Sequence, residues 1–438
     1  MLWTLHELQK ALSLNTEGEN IPVTGINIDT RTIQKGDMFV ALQAERDGHD
    51  FVDTAMKKGA SCCLVSKKMD SNIPQLIVSD TLEALTTLAK NRITNHTGKR
   101  IAVTGSSGKT SLTHMLATVC EAHKPEKSYN NHWGVPLTLA RMPKNSDVAV
   151  IEIGTNHVGE IAPLVKLAKP NVAVITNIAH AHIGNFENLE ALADEKISIQ
   201  QGLSDDGILI LPEETKNKWQ NKITAKTLTF GLTKTADIHL IEKIDNKLTV
   251  NTPNGDVSLI LDMIGEHHIL NAMATIAVLY ALKMPIEFLQ NMNKVSALAG
   301  RGKIHKLKDI TFIDDSYNAN PLSMKMALET LQNYPSKGRK IAILGDMLEL
   351  GEDSSKYHAN LFSYLSGVDG VVTVGENMIF LDERLPESMR LGHYETVQDL
   401  GITKITSLLK KEDVILLKGS NGIFWIHDFA GKLSKELL

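Results

Sequence analysis

A chain of 438 residues with 46 Lys and Arg against 51 Asp and Glu carries a formal charge of −5, and 42% of it is apolar with only 5% aromatic. That length implies about two to four domains that each bury a core, and the composition excludes a disordered or fibrous chain. The slight acidity leaves no electrostatic footprint for nucleic acid or a membrane surface, so an anionic ligand requires local basic or amide groups.

The first ten residues read as a short helix, and they lack the basic region and unbroken apolar run of a signal peptide. No stretch reaches the roughly 18 apolar residues that span a bilayer, so a cytoplasmic location is expected. Cys62, Cys63 and Cys120 cannot build a disulfide framework and read as reduced core residues. The runs Met38 to Leu42 and Cys62 to Val65 alternate with polar loops, as in a small α/β module. Polar residues from Thr94 to Arg100 interrupt the pattern and set a boundary near residue 98. Beyond it, strand-like runs at Ile101 to Val103, Val148 to Ile151, Val172 to Ile175 and Ile208 to Leu211, with helical periods between the first three, predict a largely parallel sheet. Thr- and Lys-rich segments between 213 and 262, with an Asn254-Gly255 turn, predict an antiparallel patch on this central domain. A helix is predicted from His268 to Leu282, and Gly300 and Gly302 allow a hinge around Arg301. Strands at Thr311 to Ile313, Ile341 to Leu344, Val371 to Val374 and Val414 to Leu417 then predict a second doubly wound domain. The expected division is 1–97, 98–300 and 301–438.

The sharpest local signal is Thr104-Gly105-Ser106-Ser107-Gly108-Lys109-Thr110, between a strand and a helical run from Ser111 to Cys120. Small residues let backbone N–H groups approach phosphate oxygens, the helix N-terminus adds positive potential, Lys109 reaches the β- and γ-phosphates, and Thr110 can hold Mg²⁺. Val103 stands where the general phosphate-loop pattern has its first glycine, so the strand–loop–helix context carries the assignment against a plain Gly/Ser turn. Glu152 closes an apolar run, where a carboxylate is costly unless paired or metal-bound. His180 and His182 follow the next strand; taken alone, each reads as a loop or core residue in preference to a ligand, and periodicity does not choose between an extended and a helical conformation there. Asp314-Asp315 reads either as a solvated strand end or, with Ser316 to Pro321, as turn and helix-start chemistry. Asp346 and Glu349 read equally well as ordinary charges at a helix N-terminus, and the methionines as core filler.

These residues, together with Asn130-Asn131, Gly134-Val135-Pro136, Asn156-His157, Lys196, Asn271 and Asp314 to Pro321, resemble the Mur ligases. Gly345 to Gly351, His358 and Lys418-Gly419-Ser420 resemble specifically the members that join D-alanyl-D-alanine to a UDP-N-acetylmuramoyl-tripeptide, and Asp29-Thr30-Arg31 with Asp47 to Phe51 are similar to the family's N-terminal substrate domain. The resemblance implies an α/β fold of three domains: a uridine-substrate module, a P-loop ATPase-type parallel sheet and a C-terminal Rossmann-like domain. It implies ATP bound by Gly105, Ser106, Ser107, Gly108, Lys109 and Thr110, with Asn271, Arg301 and Asp315 at the adenine, ribose and phosphates. Thr110, Glu152, His182 and Lys196 would hold Mg²⁺, Lys196 as a carbamate, with Lys109, Lys196 and His182 serving catalysis. Asp29, Thr30, Arg31, Asn131, Asn156, His157, Tyr317, Asn318 and Asn320 would bind the substrates. A monomer is expected, with no nucleic-acid or membrane partner. A sibling Mur ligase, a folylpolyglutamate-type ligase and a P-loop nucleotide switch are the alternatives. Departures from the family are Asn421 where Arg usually follows Lys-Gly-Ser, Ala44 for Gly, and His180 and Gly184 for Ala and Glu.

Overall fold

The computed structural model describes residues 1–180 and 183–438. Its N-terminal part is a four-stranded parallel sheet of Ile26–Asn27, Met38–Val40, Cys62–Val65 and Gln75–Ile77, beside an antiparallel ribbon of Trp3–Thr4 and Pro22–Val23. The three cysteines are free and buried, and burial pushes their thiols up to about 12, which leaves them protonated and inert. Helix Thr81–Thr94 starts where the Asp80 carboxylate accepts the N–H groups of Leu82 and Glu83. Its Leu85 and Leu88 pack into the N-terminal core, while Ala89 and Ile93 pack into the next one with Val135 and Leu139 of helix Gly134–Ala140. The two parts of the chain therefore share a helix–helix seam.

The central sheet has eight strands in the order Gly255–Ile260, Lys247–Thr252, Ile238–Ile244, Lys226–Gly231, Ile208–Pro212, Val172–Ile175, Lys99–Thr104 and Val148–Glu152. The antiparallel patch expected from residue 213 is smaller than the sequence suggested. Residues Glu213–Trp219 are helical, Lys226–Gly231 joins in parallel, and only the last two pairings are antiparallel, within the same sheet. Strands of Thr and Lys alternation look alike in either direction, and the helix that allows the parallel crossover has few apolar residues to betray it. Helix Lys109–Val119 buries Leu112, Met115, Leu116 and Val119 against one face, a helical stripe, while helix Glu266–Ala281 is buried along most of its length.

The C-terminal sheet runs Lys303–Leu307, Ile310–Asp315, Val414–Lys418, Lys340–Gly345, Gly370–Val374 and Arg390–Tyr394, parallel except for its first pairing. The two edge strands were not legible in the sequence, because they carry Lys, His and Arg on exposed edges instead of apolar runs. Strand Lys99–Thr104 lies between Val148–Glu152 and Val172–Ile175, in register Val103 with Glu152 and Thr104 with Ile175. The loops leaving all three strands thus meet at one end of the sheet, where ligands of such folds gather.

Candidate active site

The loop from Gly105 to Gly108 is cast against the neighbouring strand end. Gly105 takes φ +147°, and a Cβ there would sit 1.9 Å from Thr176 Oγ1, so only glycine fits. Ser106 Oγ donates to the Ala179 carbonyl at 2.7 Å, Ser107 N–H donates to Asn177 Oδ1 at 3.0 Å, and the Thr176 hydroxyl donates to the Ser107 carbonyl. Lys109 Nζ donates to the Gly105 carbonyl at 2.8 Å. Lys109 is half-buried, and burial lowers its pKa while Glu152 opposes and Arg301 adds to the shift.

Glu152 is 1% exposed. Its Oε1 accepts from Thr110 Oγ1 at 3.0 Å and from Asn130 Nδ2 at 2.7 Å, whereas its Oε2 is buried with no hydrogen-bond partner. A carboxylate oxygen left so is costly, and a cation beside it removes the cost. The donor set of carboxylate and hydroxyl oxygens suits a hard divalent ion. Among the described residues no cluster of three or more His, Cys, Asp or Glu surrounds it, and His182 lies outside the described residues. Lys196, on helix Leu189–Ile197, is 2% exposed, and burial, with the charge of Lys109 second, drives its pKa well below the ordinary lysine value. The adjacent Glu195 is structural: its oxygens accept the N–H groups of Gly159 and Ile161, each at 2.7 Å, and hold the turn that starts helix Ile161–Ala168.

A cavity of about 340 Å³ joins this loop to the C-terminal domain. Phe230 and Leu270 form apolar walls, and Asn271 brings a buried side-chain amide whose Nδ2 has no partner. One helical turn earlier, His267 faces the same cavity; burial, with Lys418 second, lowers its pKa to about 4 and keeps it neutral. Opposite, burial raises the Asp315 pKa despite Lys418 Nζ at 2.7 Å, and Lys418 also donates to the Asn318 carbonyl at 3.0 Å. The Arg301 guanidinium carbon lies over the Tyr317 ring, 4.0 Å from its centroid, and Nη2 donates to Ser128 Oγ at 3.2 Å. Gly300, at φ +70°, packs so tightly that a Cβ would fall 2.6 Å from the Trp425 ring. Asn320 caps helix Pro321–Asn333 with Oδ1 and donates through Nδ2 to Ser107 Oγ at 3.0 Å, touching the phosphate loop from the other domain.

Thus Ser106, Ser107, Gly108, Lys109, Thr110, Glu152, Asn156, Asn271, Arg301, Asp315, Tyr317, Asn318 and Asn320 line one cavity. Gly105 belongs to the loop itself, while Asp29, Thr30, Arg31, Asn131, His157 and Lys196 are not among the lining residues. Asn131 Oδ1 accepts the Gly134 N–H at 2.9 Å and starts a helix, and it is Asn130 that reaches Glu152. His157 is exposed on the turn after the strand. Asp29 and Arg31 form a bidentate pair, with contacts of 2.8 and 2.9 Å, which lowers the Asp29 pKa to about 2. Thr30 beside them accepts from Lys58 through its carbonyl. Lys127 acts electrostatically on Asp29 and Tyr129 on Arg31, so this N-terminal group sits by the loop that leads to Ser128 and Asn130. Asp346 and His358 are scaffold: Asp346 accepts the N–H groups of Asn377 and Met378, and His358 Nε2 accepts that of Met347. Asn421 donates to the Tyr317 carbonyl at 3.3 Å. Ser128, Thr176, Asn177 and His267 were missed; of these only His267, four residues before Asn271, carried a helical-spacing signal.

The chain matches three family descriptions in succession: "Mur ligase family, catalytic domain" over residues 22–100, "Mur ligase middle domain" over 103–279 and "Mur ligase, glutamate ligase domain" over 300–421. It is 32% identical, over 95% of its length and 94% of the relative's, to the UDP-N-acetylmuramoyl-tripeptide--D-alanyl-D-alanine ligase of Bacillus subtilis. Its fold is similar to that of MurF from Acinetobacter baumannii, with TM-score 0.85, 28% identity and 99% of each chain covered. It is also similar to the MurF ligase from Thermotoga maritima in complex with ADP, with TM-score 0.80, 25% identity and 95% and 98% covered.

Proposed function

The chain belongs to the Mur ligase family, and we propose that it is an ATP-dependent ligase joining UDP-N-acetylmuramoyl-tripeptide to D-alanyl-D-alanine in peptidoglycan precursor synthesis. The observation that carries this reading is the cavity, which faces Lys109, Thr110 and Glu152 of the central sheet with Arg301 and Asp315 of the C-terminal one. Adenine lies between the apolar walls with Asn271 Nδ2 as donor, and Asp315 takes the ribose hydroxyls. The loop N–H groups, Lys109 and Arg301 hold the phosphates.

The tripeptide's terminal carboxylate attacks the γ-phosphorus and ADP leaves. The amine of D-alanyl-D-alanine then attacks the acyl phosphate, forming the amide and releasing phosphate and a proton. Lys109 offsets charge on the transferring phosphoryl group, so no covalent protein nucleophile is needed. Mg²⁺ is assigned to Thr110 and Glu152, supported by the unpartnered Glu152 Oε2, together with His182 and Lys196. When bound, such a cation neutralises phosphate charge. Lys196 suits carbamylation, because its lowered pKa favours the neutral amine, which adds to CO₂ with loss of one proton and becomes an oxygen-bearing anion. Asp29, Thr30, Arg31, Asn131 and His157 are assigned to the uridine-sugar and peptide. We take the protein as monomeric and cytoplasmic; no helix among the described residues is long and apolar enough to cross a membrane. The test is ADP formation with the UDP-muramoyl-tripeptide, with and without D-alanyl-D-alanine. Dependence on both supports the reading, and slow hydrolysis of ATP alone, indifferent to both, overturns it in favour of a nucleotide switch.

A further inference from the structure

Ser128 is half-buried in the loop before Asn130 and has the most connected hydroxyl in the cavity. Its Oγ lies 3.2 Å from Arg301 Nη2, 3.3 Å from the Tyr317 hydroxyl and 3.4 Å from Thr110 Oγ1. Counting protons gives these contacts one direction. The single hydrogen of Thr110 goes to Glu152 Oε1, which as a carboxylate only accepts, so across the Ser128–Thr110 contact Ser128 donates. That uses its one hydrogen, and its two lone pairs are left for Arg301, which can only donate, and for Tyr317. The chain therefore runs from Arg301 and Tyr317 through Ser128 and Thr110 to Glu152, crossing from the hinge to the phosphate loop. Thr110 keeps one lone pair uncommitted.

We propose that Ser128 is a positioning residue, whose hydroxyl passes the seating of Arg301 and Tyr317 to Thr110 and so fixes the one Thr110 lone pair left for a divalent cation. The upstream end is rigid: Tyr317 N–H donates to the Gly300 carbonyl at 2.9 Å, Gly300 N–H donates to Asp314 Oδ2 at 2.9 Å, and the Tyr317 ring lies edge-on to Trp425 at 5.1 Å. The Ser128 contacts to Tyr317 and Thr110, at 3.3 and 3.4 Å, are longer than the usual O–H···O spacing of about 2.8 Å, and the Arg301 contact, at 3.2 Å, is longer than the usual N–H···O spacing of about 2.9 Å. The inference rests on the nucleotide reading of the cavity but not on which acid or amine is joined.

Isothermal calorimetry of the full chain with ADP, in Mg²⁺ and in a chelator, tests it alongside steady-state kinetics. Ser128→Ala weakens binding of ADP with Mg²⁺ by roughly 5- to 10-fold, the worth of about one hydrogen bond, and leaves metal-free ADP binding nearly unchanged. It lowers kcat with little change in KM for the UDP-peptide, and Ser128→Thr, which keeps the hydroxyl, restores most of the Mg²⁺-dependent affinity. Tyr317→Phe keeps the ring under Arg301, loses part of the same affinity, and adds nothing further on top of Ser128→Ala, since residues in one hydrogen-bond chain are not additive. Wild-type Mg²⁺-dependent affinity in Ser128→Ala, or equal impairment in Ser128→Thr, overturns the proposal. If Ser128→Ala fails to fold by circular dichroism, Tyr317→Phe decides alone: a selective loss of the Mg²⁺-dependent part supports it, and no loss overturns it. A wild-type protein that binds ADP with Mg²⁺ yet forms no amide refutes the ligase reading while leaving this comparison intact.

Discussion

The central and C-terminal sheets share a doubly wound plan and bring acidic residues to the same carboxyl ends, but they treat those carboxylates differently. Glu152 on the central sheet and Asp314 and Asp346 on the C-terminal one are all at most 4% exposed. Asp314 accepts from Gly300 N–H and from the Ser316 N–H and hydroxyl, and Asp346 accepts from Asn377 and Met378. Glu152 keeps a buried oxygen without a partner, and Asn271, lining the same cavity, keeps an unpartnered Nδ2. Burial alone does not mark a functional carboxylate. Burial with hydrogen-bonding capacity left over does, because that deficit is tolerated where a ligand fills it.

The contrast breaks most visibly at Lys109. Lys109→Ala is expected to cut ligation on the order of 10²–10³-fold, with the melting temperature held, since it loses a charge aimed at the phosphoryl group and only one loop hydrogen bond. Near-normal turnover of the folded variant removes the phosphate-loop assignment. The two carboxylates test the comparison directly. Glu152→Gln should leave stability within about 1 kcal/mol, because the amide oxygen still accepts from Thr110 and Asn130 while the buried charge is removed, and ligation falls about 10²-fold. Asp346→Ala should instead cost roughly 2–4 kcal/mol in urea unfolding by stranding the amides it holds. If the stability ranking is reversed, the distinction between a ligand-ready and a scaffold sheet end is lost.

A smaller effect lies in the pH response of helix Glu266–Ala281. His267 is lowered from 6.5 to about 4 by burial, and His268 is lowered well below its ordinary value by the same cause. The unfolded chain therefore binds more protons below pH about 6.5, so the stability from keeping these rings neutral is full above that pH and is lost as pH falls toward about 4. The melting temperature of the ligand-free protein should drop between about pH 7.5 and about pH 5, and His268→Asn should flatten that drop. An unchanged slope in the variant removes His268 as a source. The smallest effect is at the surface: Arg31→Ala should leave the melting temperature unmoved and raise KM for the UDP-substrate roughly three- to tenfold with kcat retained. A change in kcat without one in KM would move Arg31 out of substrate binding.

The phosphate loop was legible in the sequence, because glycine placement, a strand before and a helix after are local properties of adjacent residues. So were the buried strands, whose apolar runs from Val172 to Ile175 or Ile341 to Leu344 need no partner to be recognised. The family resemblance rested on the same local strings. The edge strands Lys303–Leu307 and Arg390–Tyr394 were not legible, since an edge is defined by what lies beside it. Nor was the division of labour between Asn130 and Asn131, identical neighbours of which one reaches Glu152 and the other starts a helix. Ser128 had no sequence signal, because Thr110 reaches it across an intervening helix and Arg301 and Tyr317, 173 and 189 positions away, meet it only when two sheets face each other. The residue types and local order fixed which chemistry was available. Tertiary packing alone decided which polar atoms were satisfied and which were left for a ligand, because hydrogen-bond satisfaction is a property of neighbours in space.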